Sequence, residues 1–403
     1  MNQRFFIATL CGLALLSTVG ASLPYPMLAP LFADGSIHGL NSFLGLPPKL
    51  LLGIALMINP LGLLIGSAVL GPLSDSFGRR RTLLLTTVGA ALGHLLTAVA
   101  MVLESYLLFL VARFFTGLLE GNGAIMRALV IERIAGPLRN HALSWLNGSF
   151  NLGWLVGPLL GGFTMMLGAE VPFGIAALAL LLGTLCVFLT IPATPPATHG
   201  LRWWTVARQR HALTLLRHAP LRTLFIIHLG YCCGVASLYE YFPLWLVDVG
   251  GYDARQIAIV NMGMCALMTT AALFAGHASL VEGRRRAGWY AAVGATAILC
   301  VGFGNLWIGI AGILLFGAPH AFYNTALQTW AADEFAAHGQ GSVMALLSTI
   351  FCLANILMAL LGAVLTLIDT RLVLIVGGVL AAWASVALRR WSVLSAHPVL
   401  EAS

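Results

Sequence analysis

Blocks of 18 or more mostly apolar residues recur along the whole chain, each long enough to cross the hydrocarbon core of a bilayer as a helix. They lie near 5–32, 50–72, 82–103, 106–132, 141–168, 171–191, 220–247, 256–281, 287–304, 306–330, 341–368 and 372–394. The pattern predicts an all-α membrane protein of twelve transmembrane helices. The longest polar interruption, Pro192 to Pro220, carries Pro195-Pro196, Trp203-Trp204 and a run of arginines. It divides the chain into a six-helix bundle at 1–192, a basic linker at 193–219 and a second six-helix bundle at 220–403.

Two internal echoes support that division. Gly71-Pro-Leu-Ser74 and Gly78-Arg-Arg-Arg81 after the second span are answered by Gly276-His-Ala-Ser279 and Gly283-Arg-Arg-Arg286 after the eighth. Ala21-Ser22-Leu23 in the first span returns as Ala236-Ser237-Leu238 in the seventh. Both echoes fall where a duplicated half would put them.

Composition removes the soluble alternatives. Of 403 residues, 59% are hydrophobic and 9% charged, too few polar side chains to clothe a water-soluble fold. The formal net charge of +7 need not mean nucleic acid. Sixteen of the 21 basic residues fall in segments on one side of the predicted membrane, including Arg79 to Arg81, Arg133, Arg139, Arg284 to Arg286, Arg389 and Arg390. By the positive-inside rule that side is cytoplasmic, with both termini on it. Such a multi-pass topology points to the plasma (inner) membrane.

The segment Phe5 to Val19 has the look of a secretory signal, but its apolar character continues to Phe32 without an Ala-x-Ala site, so an uncleaved first helix is expected. The seven cysteines sit in apolar stretches without a Cys-x-x-Cys pair and read as small buried hydrophobes. Lys49, the sole lysine, is followed by Leu50. No Gly-Lys-Ser/Thr phosphate loop exists, so the chain is not expected to hydrolyse ATP. No metal-ligand or catalytic constellation is present in the sequence, and no cofactor, metal site or enzyme activity is expected. The Asn147-Gly-Ser149 sequon lies inside the fifth span and is discounted.

Three patterns carry chemistry. Gly71-x-Leu73-x-Asp75-x-x-Gly78-Arg79-Arg80-Arg81 falls between the second and third spans, where it is expected as a short inner loop. Its glycines allow a tight turn, and Asp75 beside the basic cluster can hold one conformer shut. In the fifth span Gly153, Gly157 and Gly161 recur every four residues with Pro158 and Gly162 beside them. A face this smooth lets a neighbouring backbone approach closely, and the proline weakens the helix. In the fourth span Arg113, Gly117, Glu120, Ala124 and Arg127 share one face of a continuous helix. Each ionised group at mid-membrane costs about 2.5–3.5 kcal/mol on insertion scales, so this face must look into a cavity or onto partners.

Seven residues of helix rise about 10.5 Å, so Glu120 cannot reach either arginine of its own helix and needs a partner from elsewhere. The other intramembrane acid is Glu240 in the seventh span, between Tyr239 and Tyr241. It is either a carboxyl held out of water, as a proton carrier requires, or a glutamate near the outer mouth that simply reaches water. His94 and His320 also fall at membrane depth, where a lone histidine is more often hydrogen-bonded packing than a ligand. His320 shares a face with Asn324 and Gln328, a polar strip suited to a central site, and Tyr25, Asn59, Asn151 and Tyr241 are further cavity candidates.

The segment around Asp75 resembles the signature of the major facilitator superfamily, with Ser76 where that family often has a basic residue and Leu280 replacing Asp75 in the second copy. The glycine pattern of the fifth span looks like the antiporter motif of its drug:proton antiporter branch. Arg113 and Gly117 resemble the fourth-span motif, in which the arginine is linked to proton transfer; Glu120 is this chain's own addition. The resemblance implies the major facilitator fold, two pseudo-symmetric six-helix bundles with a site near mid-membrane. It further implies a secondary transporter working by alternating access, functional as a monomer. The expected activity is proton-coupled efflux of an anionic or zwitterionic metabolite, such as a siderophore, or of an amphiphilic drug. Alternatives are proton-coupled uptake and, from another class, a transport-inactive membrane sensor. In this scheme Glu120 and Glu240 take up a proton or cation, Arg113 biases them or holds an anionic group, and Asp75 with Arg79 and Arg80 forms an inner gate.

Overall fold

The computed structural model describes residues 3–33, 37–192, 212–275, 283–338 and 340–391. Most of the expected basic linker, the second-half echo at 276–279 and Leu280 lie outside them. Among the described residues the regular structure is helical throughout, and eleven stretches are long and apolar enough to cross a membrane. The helix Ala254–Ala275 occupies the place of the predicted eighth span, and its 22 residues rise about 33 Å.

Two predicted spans are each built from two helices. The first is α1 (Gln3–Ser22) and α2 (Tyr25–Ala33). Pro24 has no N–H to continue α1 and disfavours helix at Leu23, so the ladder stops and restarts. The second and third spans are α3 (Pro48–Phe77) and α4 (Arg79–Val102). The fourth is α5 (Tyr106–Glu120) and α6 (Gly123–Arg133), parted at Gly121 and Asn122. A side chain at Gly121 would overlap the backbone of Gly66 and Ser67 in α3, so the break lies where two main chains nearly touch. α7 (Pro137–Thr164) and α8 (Val171–Thr190) complete the first half. The second half comprises α9 (Ala219–Gly250), α10 (Ala254–Ala275), α11 (Gly283–Phe303), α12 (Leu306–Glu334), α13 (Gln340–Leu365) and α14 (Thr370–Arg390). Capping is local: Ser105 and Asn305 accept the N–H groups of Leu108 and Ile308 at the starts of α5 and α12.

Within the first half α1 packs on α7 and α8, α3 on α5, and α4 on α5 and α8; within the second, α11 packs on α12 and α14, and α9 on α13 and α14. The halves meet through α3 on α13, α7 on α10 and α2 on α9. These seams are built on small residues. Gly53 abuts Ala359 and Ala363, and Gly162 abuts Ala254 and Ala258. At the same end, Lys49 Nζ lies 2.7 Å from Asp248 Oδ2, which also accepts from Thr370 Oγ1 at 2.5 Å. Toward the opposite end, where α3 gives way to α4, Arg127, Asn147 and Asn151 are exposed.

Candidate substrate and proton site

The fourth span does not present its charges on one continuous face. Arg113 and Glu120 belong to α5 and are buried, at 2% and 5% exposure. Arg127, beyond the break, is exposed, with its guanidinium over the Phe150 ring and 3.5 Å from Asn147 Oδ1. The break at Gly121 and Asn122 falls between Arg127 and the other two.

Glu120 obtains its partner from α4. His94 Nε2 lies 2.9 Å from Glu120 Oε1, and His94 is fully buried. His94 is therefore a hydrogen-bonded histidine packed in the interior, as expected at that depth, and its partner is the acid. The sequence signal was available, an acid needing a partner and a histidine at the same depth, but no periodicity joins two different helices. Arg113 donates to the carbonyls of Gly20 and Ala21 at 3.3 Å. Those carbonyls are free to accept because α1 stops at Ser22 and loses its next turn of ladder bonds. Asn59, expected in the cavity, is buried and donates to Arg113 O at 3.2 Å. α1 presses closely here: a side chain at Gly20 would overlap His94 Nε2 and Glu120 Oε1. The end of α1, Arg113, Glu120 and His94 form one packed unit.

The centre of the molecule is aromatic. Trp154 of α7 reaches toward the second half, its ring 5.8 Å from Tyr25, 6.1 Å from Tyr239 and 6.1 Å from Phe351. Beyond Tyr239, His320 stacks on Phe316 at 5.2 Å, accepts from or donates to the Tyr231 hydroxyl at 3.2 Å, and contacts Asn324 Nδ2 at 3.0 Å. Tyr231 stacks on Tyr323 at 3.7 Å, and the Tyr323 hydroxyl meets His228 Nδ1 at 2.9 Å. The expected polar strip of His320 and Asn324 is thus part of a larger aromatic and imidazole cluster, with His228, Tyr231 and Tyr323 missed by the sequence reading. Gln328 is exposed.

Glu240 does not reach water. It is 2% exposed and neither carboxyl oxygen has a hydrogen-bond partner. Tyr241, expected to line the cavity, is fully buried and donates to Ala359 O at 2.7 Å; its side chain ties α9 to α13. Asn151 is exposed.

The Asp75 segment is not a loop. Gly71 to Phe77 continue α3 and Arg79 to Arg81 open α4, so Gly78, with φ of +91°, is the whole turn. That backbone conformation favours glycine. Asp75 Oδ1 pairs with Arg79 at 2.9 Å one turn on, and Arg79 Nε also reaches Glu132 Oε1 of α6 at 2.7 Å. Glu132 is a member the sequence reading missed. Arg80 turns away, donating to Phe188 O at 2.7 Å with its guanidinium over that ring, and Arg81 is exposed. In α7 the four-residue stripe meets α1 and its break: side chains at Gly153, Gly157 and Gly161 would overlap Thr18, Ser22 and Leu23 in turn, while Gly162 faces the second half. Ser22 Oγ donates to Gly153 O at 3.0 Å across this contact. Pro158 lies within the stripe and is buried.

The family model described as the Major Facilitator Superfamily matches residues 5–290. This chain belongs to that superfamily. It is therefore a multi-pass membrane protein of a transporter family. A class B tetracycline resistance protein from Escherichia coli is 33% identical over 180 residues, 44% of this chain and 41% of that relative. A class G tetracycline resistance protein from Vibrio anguillarum is 27% identical over 317 residues, 75% of this chain and 77% of the relative. The chain thus spans under half the length of the class B relative it matches. Among solved structures, the human organic anion transporter MFSD10 (TETRAN) superposes with a TM-score of 0.69 at 21% identity, covering 96% of this chain and 100% of that one. A D-xylose-proton symporter gives 0.74 at 16% identity, over 96% and 97%. At these identities the two superpositions speak to the fold, which this superfamily member shares across essentially its whole length.

Proposed function

We propose that the protein is a proton-coupled efflux antiporter working by alternating access, with residues 1–192 and 220–403 as the two units that rock against each other. The observation that carries this reading is the buried His94 and Glu120 couple against the end of α1. A carboxyl and an imidazole in contact, sealed from water, change their net charge when a proton binds. In a low dielectric that change strongly favours one helix arrangement over another. Arg113 lies within the electrostatic field of Glu120 and answers to the same change. α1 would transmit it, because it packs on the couple through Gly20 and on the glycine stripe of α7 through Thr18 and Ser22. Efflux, rather than uptake, is supported by the similarity to tetracycline resistance proteins. The asymmetry of basic residues supports a cytoplasmic Arg79 end, with Asp75, Arg79 and Glu132 as an inner clasp.

The substrate class proposed is an anionic or zwitterionic metabolite or an amphiphilic drug, with Glu240 a second cation-binding carboxyl. The test is substrate counterflow in proteoliposomes under an imposed pH gradient. Substrate is expected to move against the proton flux, and accumulation in the direction of proton flow would overturn antiport.

A further inference from the structure

Two buried ionisable groups, a carboxyl on one half and a guanidinium on the other, make no ion pair among the described residues. Glu240, on α9 of the second half, has no hydrogen-bond partner at either oxygen. Arg113, on α5 of the first half, has only the two carbonyl contacts at 3.3 Å, and among the described residues no carboxylate lies within ion-pair distance of it. Each is 2% exposed. Tyr25, where α2 begins, lies within electrostatic reach of both, and α2 packs against α9 across the seam. The Tyr25 ring is also one wall of the aromatic group formed with Trp154, Tyr239 and Phe351, all four only half-buried.

A buried ionisable group with no oppositely charged group in contact is unfavourable unless something pairs with it. Here two such groups sit on opposite halves, with Tyr25 within reach of both and the rings of Trp154 and Tyr239 continuing from it. The arrangement matches one ligand chemistry. We infer that this seam is a subsite for an aromatic zwitterion, whose ammonium pairs with Glu240, whose acidic oxygen pairs with Arg113, and whose ring lies against Tyr25, Trp154 and Tyr239. A cation near those rings gains further from their faces. A ligand with a single charge leaves the other group unpaired, so selection for two opposite charges follows from the site itself. Because the charges belong to different halves, such a ligand also ties the halves together. This inference narrows the substrate class of the proposed transporter and rests on that reading.

The test uses purified protein in detergent with no pH gradient, and three ligands built on one ring: tryptophan, tryptamine and indole-3-propionate. Calorimetric titration is expected to show tryptophan binding at least tenfold more tightly than either single-charge analogue. In Glu240→Gln that advantage over indole-3-propionate disappears, in Arg113→Gln the advantage over tryptamine disappears, and Trp154→Ala weakens all three. The comparison on the unaltered protein stands even if a variant fails to fold. Equal affinity for the three, absence of binding by all of them, or an advantage that survives both charge removals overturns the subsite. Gradient-driven transport without zwitterion preference sinks the subsite alone; zwitterion preference without proton-coupled transport sinks the antiport reading alone.

Discussion

His94 Nε2 meets Glu120 Oε1 at 2.9 Å from a different helix, with the histidine wholly sealed and the glutamate nearly so. Neither residue can shed its partner to water. Truncating one member of a buried polar pair leaves the other unsatisfied, which costs more than the pair was worth. Glu120→Gln keeps the shape and removes the ionisable group, so it is expected to reduce gradient-driven transport to background while the protein still elutes as a folded species on size exclusion. His94→Asn is expected to do the same. The double substitution should be no worse than either single one, because the two act as one unit. Additive losses would separate them.

Gly20 tests whether α1 reads that couple. A methyl group there would overlap both His94 Nε2 and Glu120 Oε1, so α1 must lift away or the pair must part. Overpacking of this kind costs about 1–3 kcal/mol. Gly20→Ala is expected to lower the thermal midpoint and impair coupling, whereas Gly12→Ala, on the same helix with no atom within 4 Å of the added group, should leave both unchanged. An unaltered pH dependence of transport in Gly20→Ala would mean that α1 does not sense the couple.

What the sequence disclosed and what it withheld divide along the range of the forces involved. Twelve spans were legible because lipid demands long apolar blocks whatever their neighbours are. The stripe of Gly153, Gly157 and Gly161 was legible because four-residue spacing is a property of one helix. The break after Glu120 was not read, although Gly121-Asn122-Gly123 is a helix-breaking run, because hydropathy continues smoothly through it. That break lies between buried Arg113 and exposed Arg127. The conversion of the Asp75 loop into two abutting helices likewise turns on one residue, Gly78. His94 with Glu120, Arg79 with Glu132, and Trp154 with Tyr239 are contacts between helices distant in sequence, and no pattern along one chain encodes them.

The glycine stripe yields a graded prediction. At Gly157 an added side chain would overlap Ser22 Oγ and Val19 O at the point where α1 breaks. Backbone oxygens cannot step aside as a flexible side chain can. Gly157→Ala is expected to slow transport and Gly157→Leu to abolish it, with Gly148→Ala, which meets nothing within 4 Å, as the neutral control. Full activity in Gly157→Leu would remove the α1 and α7 contact from the transport cycle.

The opposite end supplies the last prediction. Lys49, Asp248 and Thr370 join the two halves where α3, α9 and α14 meet, with Lys49 Nζ 2.7 Å from Asp248 Oδ2 and 3.4 Å from Thr370 Oγ1. An alternating-access cycle has to break this contact each time that end opens. Both side chains are partly exposed, at 31% and 27%, so the ion pair is worth about 0–1 kcal/mol. That is small enough to open every cycle and, at the upper end of the range, large enough to bias the resting state about fivefold. Lys49→Ala is therefore expected to shift the population toward the state open at this end, read as faster labelling of the thiol in Ala363→Cys, a buried position packed on Gly53 in the closed arrangement. Lys49→Glu should shift it further by placing two like charges together. The exchanged pair, Lys49→Asp with Asp248→Lys, should bring the labelling rate back toward that of the native residues. If the exchange fails to restore it while the single variants remain folded, the contact is incidental to closure.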